Sequence, residues 1–129
     1  MIMKIVILVV GLTLIFFLAA MATRWHYRQR ARTRKPVSIE QFLAALPAGI
    51  DRQIARAVHA SFVSSTGVTG YPLEPTDELG KDFGIYGADF EDLFETLTAE
   101  CGVHLPDGSA ADVKTVEDVI VLLDKYRSA

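Results

Sequence analysis

The chain opens on an apolar run in which no residue from Ile5 to Ala22 is charged. Those 18 residues make a helix about 27 Å long, at the lower end of what spans a bilayer. Beyond Lys35 the pattern changes to short amphipathic segments. Ser38 followed by Gln41 fits a capping box, opening a short helix with Ile39, Phe42, Leu43 and Leu46 on one face. Pro47 to Gly49 interrupts it. A second helix is predicted from about Asp51, with Ile50, Ile54, Ala57, Val58 and Phe62 at helical spacing, ending where Ser64-Ser-Thr-Gly67 breaks the pattern. Gly70, Pro72 and Pro75 mark 68–81 as an ordered but irregular loop, with Leu73, Leu79 and Phe83 able to pin it to the core. Phe90, Leu93, Phe94, Leu97 and Cys101 then recur as one helical stripe, and Gly102 is a natural stop. After a turn at Pro106-Asp107-Gly108, Thr115 and Asp118 cap a last helix carrying Val116, Val119, Ile120, Leu122 and Leu123. No run alternates with period two. The expectation is an all-α domain of three main helices with a long first loop, preceded by one transmembrane helix.

Charge sharpens that division. Arg24, Arg28, Arg30, Arg32, Arg34 and Lys35 follow the apolar run with no acid among them. From Pro36 onward there are six bases against all 16 acids, a net of −10. Three segments result: an anchor at 1–22, a basic juxtamembrane linker at 23–37 and a helical domain at 38–129. A cleaved signal peptide competes for the first segment, because Lys4 precedes the run and Ala20-Met21-Ala22 has a small-x-small form. The run is longer than a usual signal core, and six bases would have to cross first. Bases beside a span stay on the cytoplasmic side. The expectation is an uncleaved single-pass anchor in the inner (cytoplasmic) membrane, N-terminus outside and domain in the cytoplasm. The six bases are candidate membrane-surface residues, drawn to anionic lipid at about 1 kcal/mol each. Interleaving with Trp25, His26 and Tyr27 also resembles a nucleic-acid arm, but beside a span the lipid reading prevails, and no nucleic-acid partner is expected.

A 129-residue chain leaves room for one modest core and excludes large doubly wound or barrel enzymes. One cysteine, Cys101, excludes an intramolecular disulfide and multi-cysteine metal sites. It continues an apolar stripe, and no histidine stands at a recognisable partner spacing. His26, His59 and His104 are the only imidazoles; His104 beside Asp107 is read as solvated rather than ligating. Ser61, Ser64 and Ser65 fit no nucleophile elbow, and no glycine loop is built for phosphate. No metal, cofactor or catalytic constellation emerges, and no enzymatic activity is expected.

The segment Phe83-Gly-Ile-Tyr-Gly-Ala-Asp-Phe-Glu-Asp-Leu93 resembles the acyl carrier proteins, whose second helix opens on Leu-Gly-x-Asp-Ser-Leu. Phe83-Gly84 takes the Leu-Gly place. Cys101-Gly-Val-His-Leu-Pro106 takes that of the family's Phe-Gly-Ile-x-Ile-Pro turn, without a gap, and Thr115-Val-Glu-Asp-Val-Ile120 fits its final helix. The similarity covers about Ile50 to Tyr126. It implies a carrier-like helical bundle, but the register places Tyr86 at the motif's aspartate and Gly87 at its serine, which in carriers is esterified by 4′-phosphopantetheine. Glycine has no hydroxyl, so Gly87 is a vacated carrier position. The sequence Gly87-Ala88-Asp89 is similar to that of a group of bacterial carrier-like proteins with a Gly-Asp-Asp-type turn. Gly87 itself is expected to be an N-cap or a turn residue of positive φ. If it merely fills the vacated site, Gly87→Ser should leave the fold intact.

Carriers meet their enzymes through an acidic second helix. Asp89, Glu91, Asp92 and Glu95 are therefore the candidate partner-binding residues, because charge pairing needs no serine. The functional expectation is a membrane-anchored carrier-like module that presents this helix to a basic protein, such as an acyl-transfer enzyme. The alternative is an acyl or group carrier of fatty-acid or polyketide-type metabolism modified elsewhere; Ser109 is the nearest serine, though in the wrong loop.

Overall fold

A computed structural model describes residues 1–127 and is mostly helical, with no strand among them. Six helices follow in order: α1 (Ile2–Thr33), α2 (Ile39–Ala44), α3 (Arg52–Thr66), α4 (Leu79–Phe83), α5 (Ala88–Cys101) and α6 (Val116–Lys125).

α1 is longer than the apolar run. The segment expected to be a linker is helical through Thr33, and the helix stops where Pro36 disfavours the α conformation in its neighbour. Its apolar part is long enough to span a membrane and is covered by nothing in the domain. A helix apolar on all sides demands an apolar surround.

α3 is the hub, touching α1, α2, α5 and α6. Asp51 caps it by accepting from Gln53 N–H at 2.8 Å and Ile54 N–H at 3.3 Å. Ile54, Ala55, Val58 and Phe62 form its buried stripe; Ala55 takes the deep position that spacing had assigned to Ala57, which is half-buried. The α2 capping box forms as expected, Ser38 Oγ accepting from Gln41 N–H and Gln41 Oε1 from Ser38 N–H. It seats Phe42 in the core against the His59 ring.

The loop after α3 is stitched to the start of α6. Asp77 and Pro75 carbonyls accept from Val116 and Glu117 N–H, both at 2.9 Å, and Thr115 Oγ1 accepts from Asp118 N–H at 3.1 Å. Two orphan donors of the α6 first turn are thus satisfied by a loop 39 and 42 residues earlier in the chain, and a third by the Thr115 cap. Val116, Val119, Ile120 and Leu123 can then bury completely beside Leu73 and Leu79. Within that loop, 79–83 forms α4, a helix the pattern did not predict. It closes on Gly84 at φ +64°, with Ile85 N–H returning to the Leu79 carbonyl.

Candidate functional site

Two charged regions matter, and they are built in opposite ways. The first is the seam where the upper part of α1 meets the domain. Tyr27, Arg30, Ala31 and Arg34 follow i, i+3, i+4, i+7 and share the face turned to the domain. Tyr27 is buried, its ring 6.0 Å from Phe83 and 5.7 Å from Tyr71. Arg34 grips Asp77 with two parallel bonds of 2.8 Å, while Asp77 also accepts from Glu74 N–H. Arg30 reaches Asp82, bonding both its carboxylate and its backbone carbonyl at 3.1 Å. The Asp77 side chain is only 4% exposed. Removing Arg34 would strand the Asp77 charge in a nearly dry site.

Arg30 and Arg34 were expected at the membrane surface with the other bases of the collar; the structure instead commits both to these ion pairs. Arg24, Arg28, Arg32 and Lys35 remain exposed. The pairing with Asp77 holds the Arg34 guanidinium above its ordinary pKa despite its burial. Burial raises the Tyr71 hydroxyl, whose oxygen is buried with no hydrogen-bond partner among the described residues.

The second region is the outer face of α5. Asp89, Glu91, Asp92 and Glu95 are all exposed, and among the described residues none of them is in an ion pair. The opposite face packs Phe94 and Leu97 into the core, with Phe90 tilted against Phe94 at 4.9 Å. Gly87 caps the helix without a side-chain bond, at φ +54° and ψ −121°. A β-carbon there would touch nothing, so glycine serves backbone geometry rather than space. This bears on Gly87→Ser. The hydroxyl would fit, but serine is strained in that conformation by about 1–3 kcal/mol.

An open cleft of about 420 Å³ runs beside Gly87, between α4, the start of α5 and the segment before α6. Leu79, Ile85 and Phe90 line it with Lys81 and Lys114, and the exposed Tyr86 ring leans on Gly80.

The other candidates are dispersed. Cys101 is half-buried and its thiol is pushed up by burial, away from nucleophilic character. His104 and Asp107 are both exposed, and Ser109 is half-buried in a turn before α6. Among the described residues no three metal-ligating side chains converge. Comparison with protein-family models, curated proteins and solved structures finds no match for this chain.

Sequence reasoning missed Asp77 and Asp82, which lie 43 and 52 residues from the arginines they hold. The signal available was the helical spacing of Tyr27, Arg30, Ala31 and Arg34, a domain-facing stripe inside a run of bases.

Proposed function

We propose that the chain is a membrane-anchored, carrier-protein-like interaction module that offers the acidic face of α5 to a basic protein partner, with no phosphopantetheine and no catalysis of its own. The observation that carries this reading is the unequal use of charge. Arginines hold Asp77, Asp82, Asp51, Asp124 and Glu40; of the carboxylates in no ion pair among the described residues, the four of α5 are gathered on one exposed helix surface. Such a surface steers and registers a complementary basic patch.

The likeness to acyl carrier proteins over Ile50 to Tyr126 supports the same helix as the docking element, and makes an acyl-transfer enzyme the favoured partner class. The bases after the span support an inner-membrane anchor with the domain in the cytoplasm. The glycine geometry at 87 speaks for a position adapted to its own turn rather than a carrier site.

Capture of partners from membranes with the full chain tests the reading. Asp89→Lys with Asp92→Lys is expected to lose a partner that the unmodified chain retains; an unchanged set would refute it. Intact mass after co-expression with a phosphopantetheinyl transferase is expected to stay unchanged. A gain of one phosphopantetheine would replace this reading by the group-carrier one.

A further inference from the structure

We propose that the loop Gly67–Gly70, after α3, rests in the phospholipid headgroup layer, so that the domain lies against the bilayer by one defined edge. The inference shares with the proposed function only the reading of α1 as a membrane span.

The argument starts from heights along α1. The apolar run ends at Ala22, and a helix rises about 1.5 Å per residue. Arg24 therefore stands about 3 Å beyond the end of the run, Tyr27 about 8 Å, Arg30 about 12 Å and Arg34 about 18 Å. The interfacial layer on each side of the hydrocarbon is only about 5–8 Å thick. An ordinary tilt of about 20° changes these heights by a few per cent.

The domain is pinned to α1 at every one of those levels. Arg34 holds Asp77 and Arg30 holds Asp82, while Tyr27 packs on Tyr71 and Phe83. At the lowest level the Arg24 side chain lies on Gly67, where a β-carbon would come within 3.2 Å of its Cγ and Nε. The loop is thus held at the height of the headgroups, and Asp77 well above them.

Charge points the same way independently. The domain carries 16 acids, yet none occurs between Asp51 and Glu74. That acid-free stretch is α3 and this loop. A shallow concavity of about 450 Å³ opens at the same edge, lined by His59, Ala60, Val63, Ser64, Val68 and Thr69 among others, again with no acid. An acidic domain tethered close to lipid phosphate is repelled from it unless the near edge lacks carboxylates. Arg24 and Trp25, both exposed at that level, supply a phosphate-binding cation and an interfacial ring.

The test places a small fluorophore on single cysteines in the full chain, in a Cys101→Ala background, reconstituted into phosphatidylcholine vesicles containing phosphatidylglycerol. Thr69→Cys reports the proposed edge. Thr76→Cys, exposed beside Asp77, reports the far level. Leu14→Cys reports the span. With a spin label on the lipid headgroup, quenching is expected several-fold stronger at position 69 than at 76, and an acyl-chain label should quench position 14. Equal quenching at 69 and 76, with 14 still quenched, would overturn the inference while leaving the span intact. No quenching at 14 would overturn the span and the inference with it.

Discussion

The α1 seam and the α5 face carry similar densities of charge and use them differently. At the seam each carboxylate meets a guanidinium, and Asp77 has almost no water left around it. On α5 four carboxylates crowd one exposed surface, with Glu91 and Glu95 at the i, i+4 spacing where like charges repel by a few tenths of a kcal/mol. The seam's charges are consumed in holding the domain to its helix. Those of α5 make no ion pair among the described residues; Asp89 and Glu91 suit the positive end of the helix dipole, which offsets their mutual repulsion.

The largest test breaks the seam. Asp77→Ala leaves the Arg34 fork without its carboxylate and Glu74 N–H without an acceptor. A loss of about 2–4 kcal/mol is expected, below the full cost of breaking a buried pair because Arg34 keeps some contact with water. Thermal unfolding of the full chain in detergent checks it. A variant that melts like the unmodified protein would mean the seam is ornamental.

Next comes the glycine that opens α5. Gly87→Ser and Gly87→Ala are expected to destabilise equally, by about 1–3 kcal/mol, because the cost lies in the positive φ and not in the side chain. If serine were tolerated and alanine not, the hydroxyl would be capping α5, and the backbone account would fall.

Acid should loosen the starts of α3 and α6. Backbone N–H groups of Ile54 and Gln53, then Arg127, hold the Asp51 carboxyl below its usual range. Burial pushes Asp118 up, but bonds from Lys114 N–H, Thr115 N–H and the Thr115 hydroxyl outweigh it and bring the net shift down. Groups lowered in the folded state stabilise it fully above their unfolded pKa. That contribution is lost as pH falls from about 4 toward their folded values. Melting temperature should decline through that window, and decline less in Asp118→Asn, which is already weaker at neutral pH.

The smallest effect is a gain. Glu95→Lys places a lysine four residues after Glu91, the favourable order on a helix, and is expected to stabilise by about 0.2–0.5 kcal/mol. A matched pair of denaturant curves resolves the sign. A loss of stability would show that Glu95 already serves the fold.

How far these features were legible depended on their range in sequence. Caps at Ser38 and Thr115, the stop at Gly102 and the stripe from Phe90 to Cys101 are local, and the structure contains each of them. The apolar run was legible for the same reason. α4 was not, because five residues with a glycine among them, Gly80, show no periodicity. Nor were the ion pairs of Arg30 and Arg34, whose partners lie in a loop with no pattern of its own. Reading the collar as a uniform basic patch concealed its two faces, one turned to the domain and one left exposed. The acidic face of α5 was legible as a cluster, but only the folded chain showed that none of its four carboxylates is in an ion pair among the described residues.

The most direct test sets binding against stability in two full-length variants. Asp89→Lys with Asp92→Lys reverses charge on α5; Arg30→Gln with Arg34→Gln disarms the seam. Each is melted, then used to capture partners from membranes. The account predicts that the α5 variant melts within a few degrees of the unmodified chain yet loses its partner, whereas the seam variant melts many degrees lower. An α5 variant that keeps the same partners at full stability would contradict it.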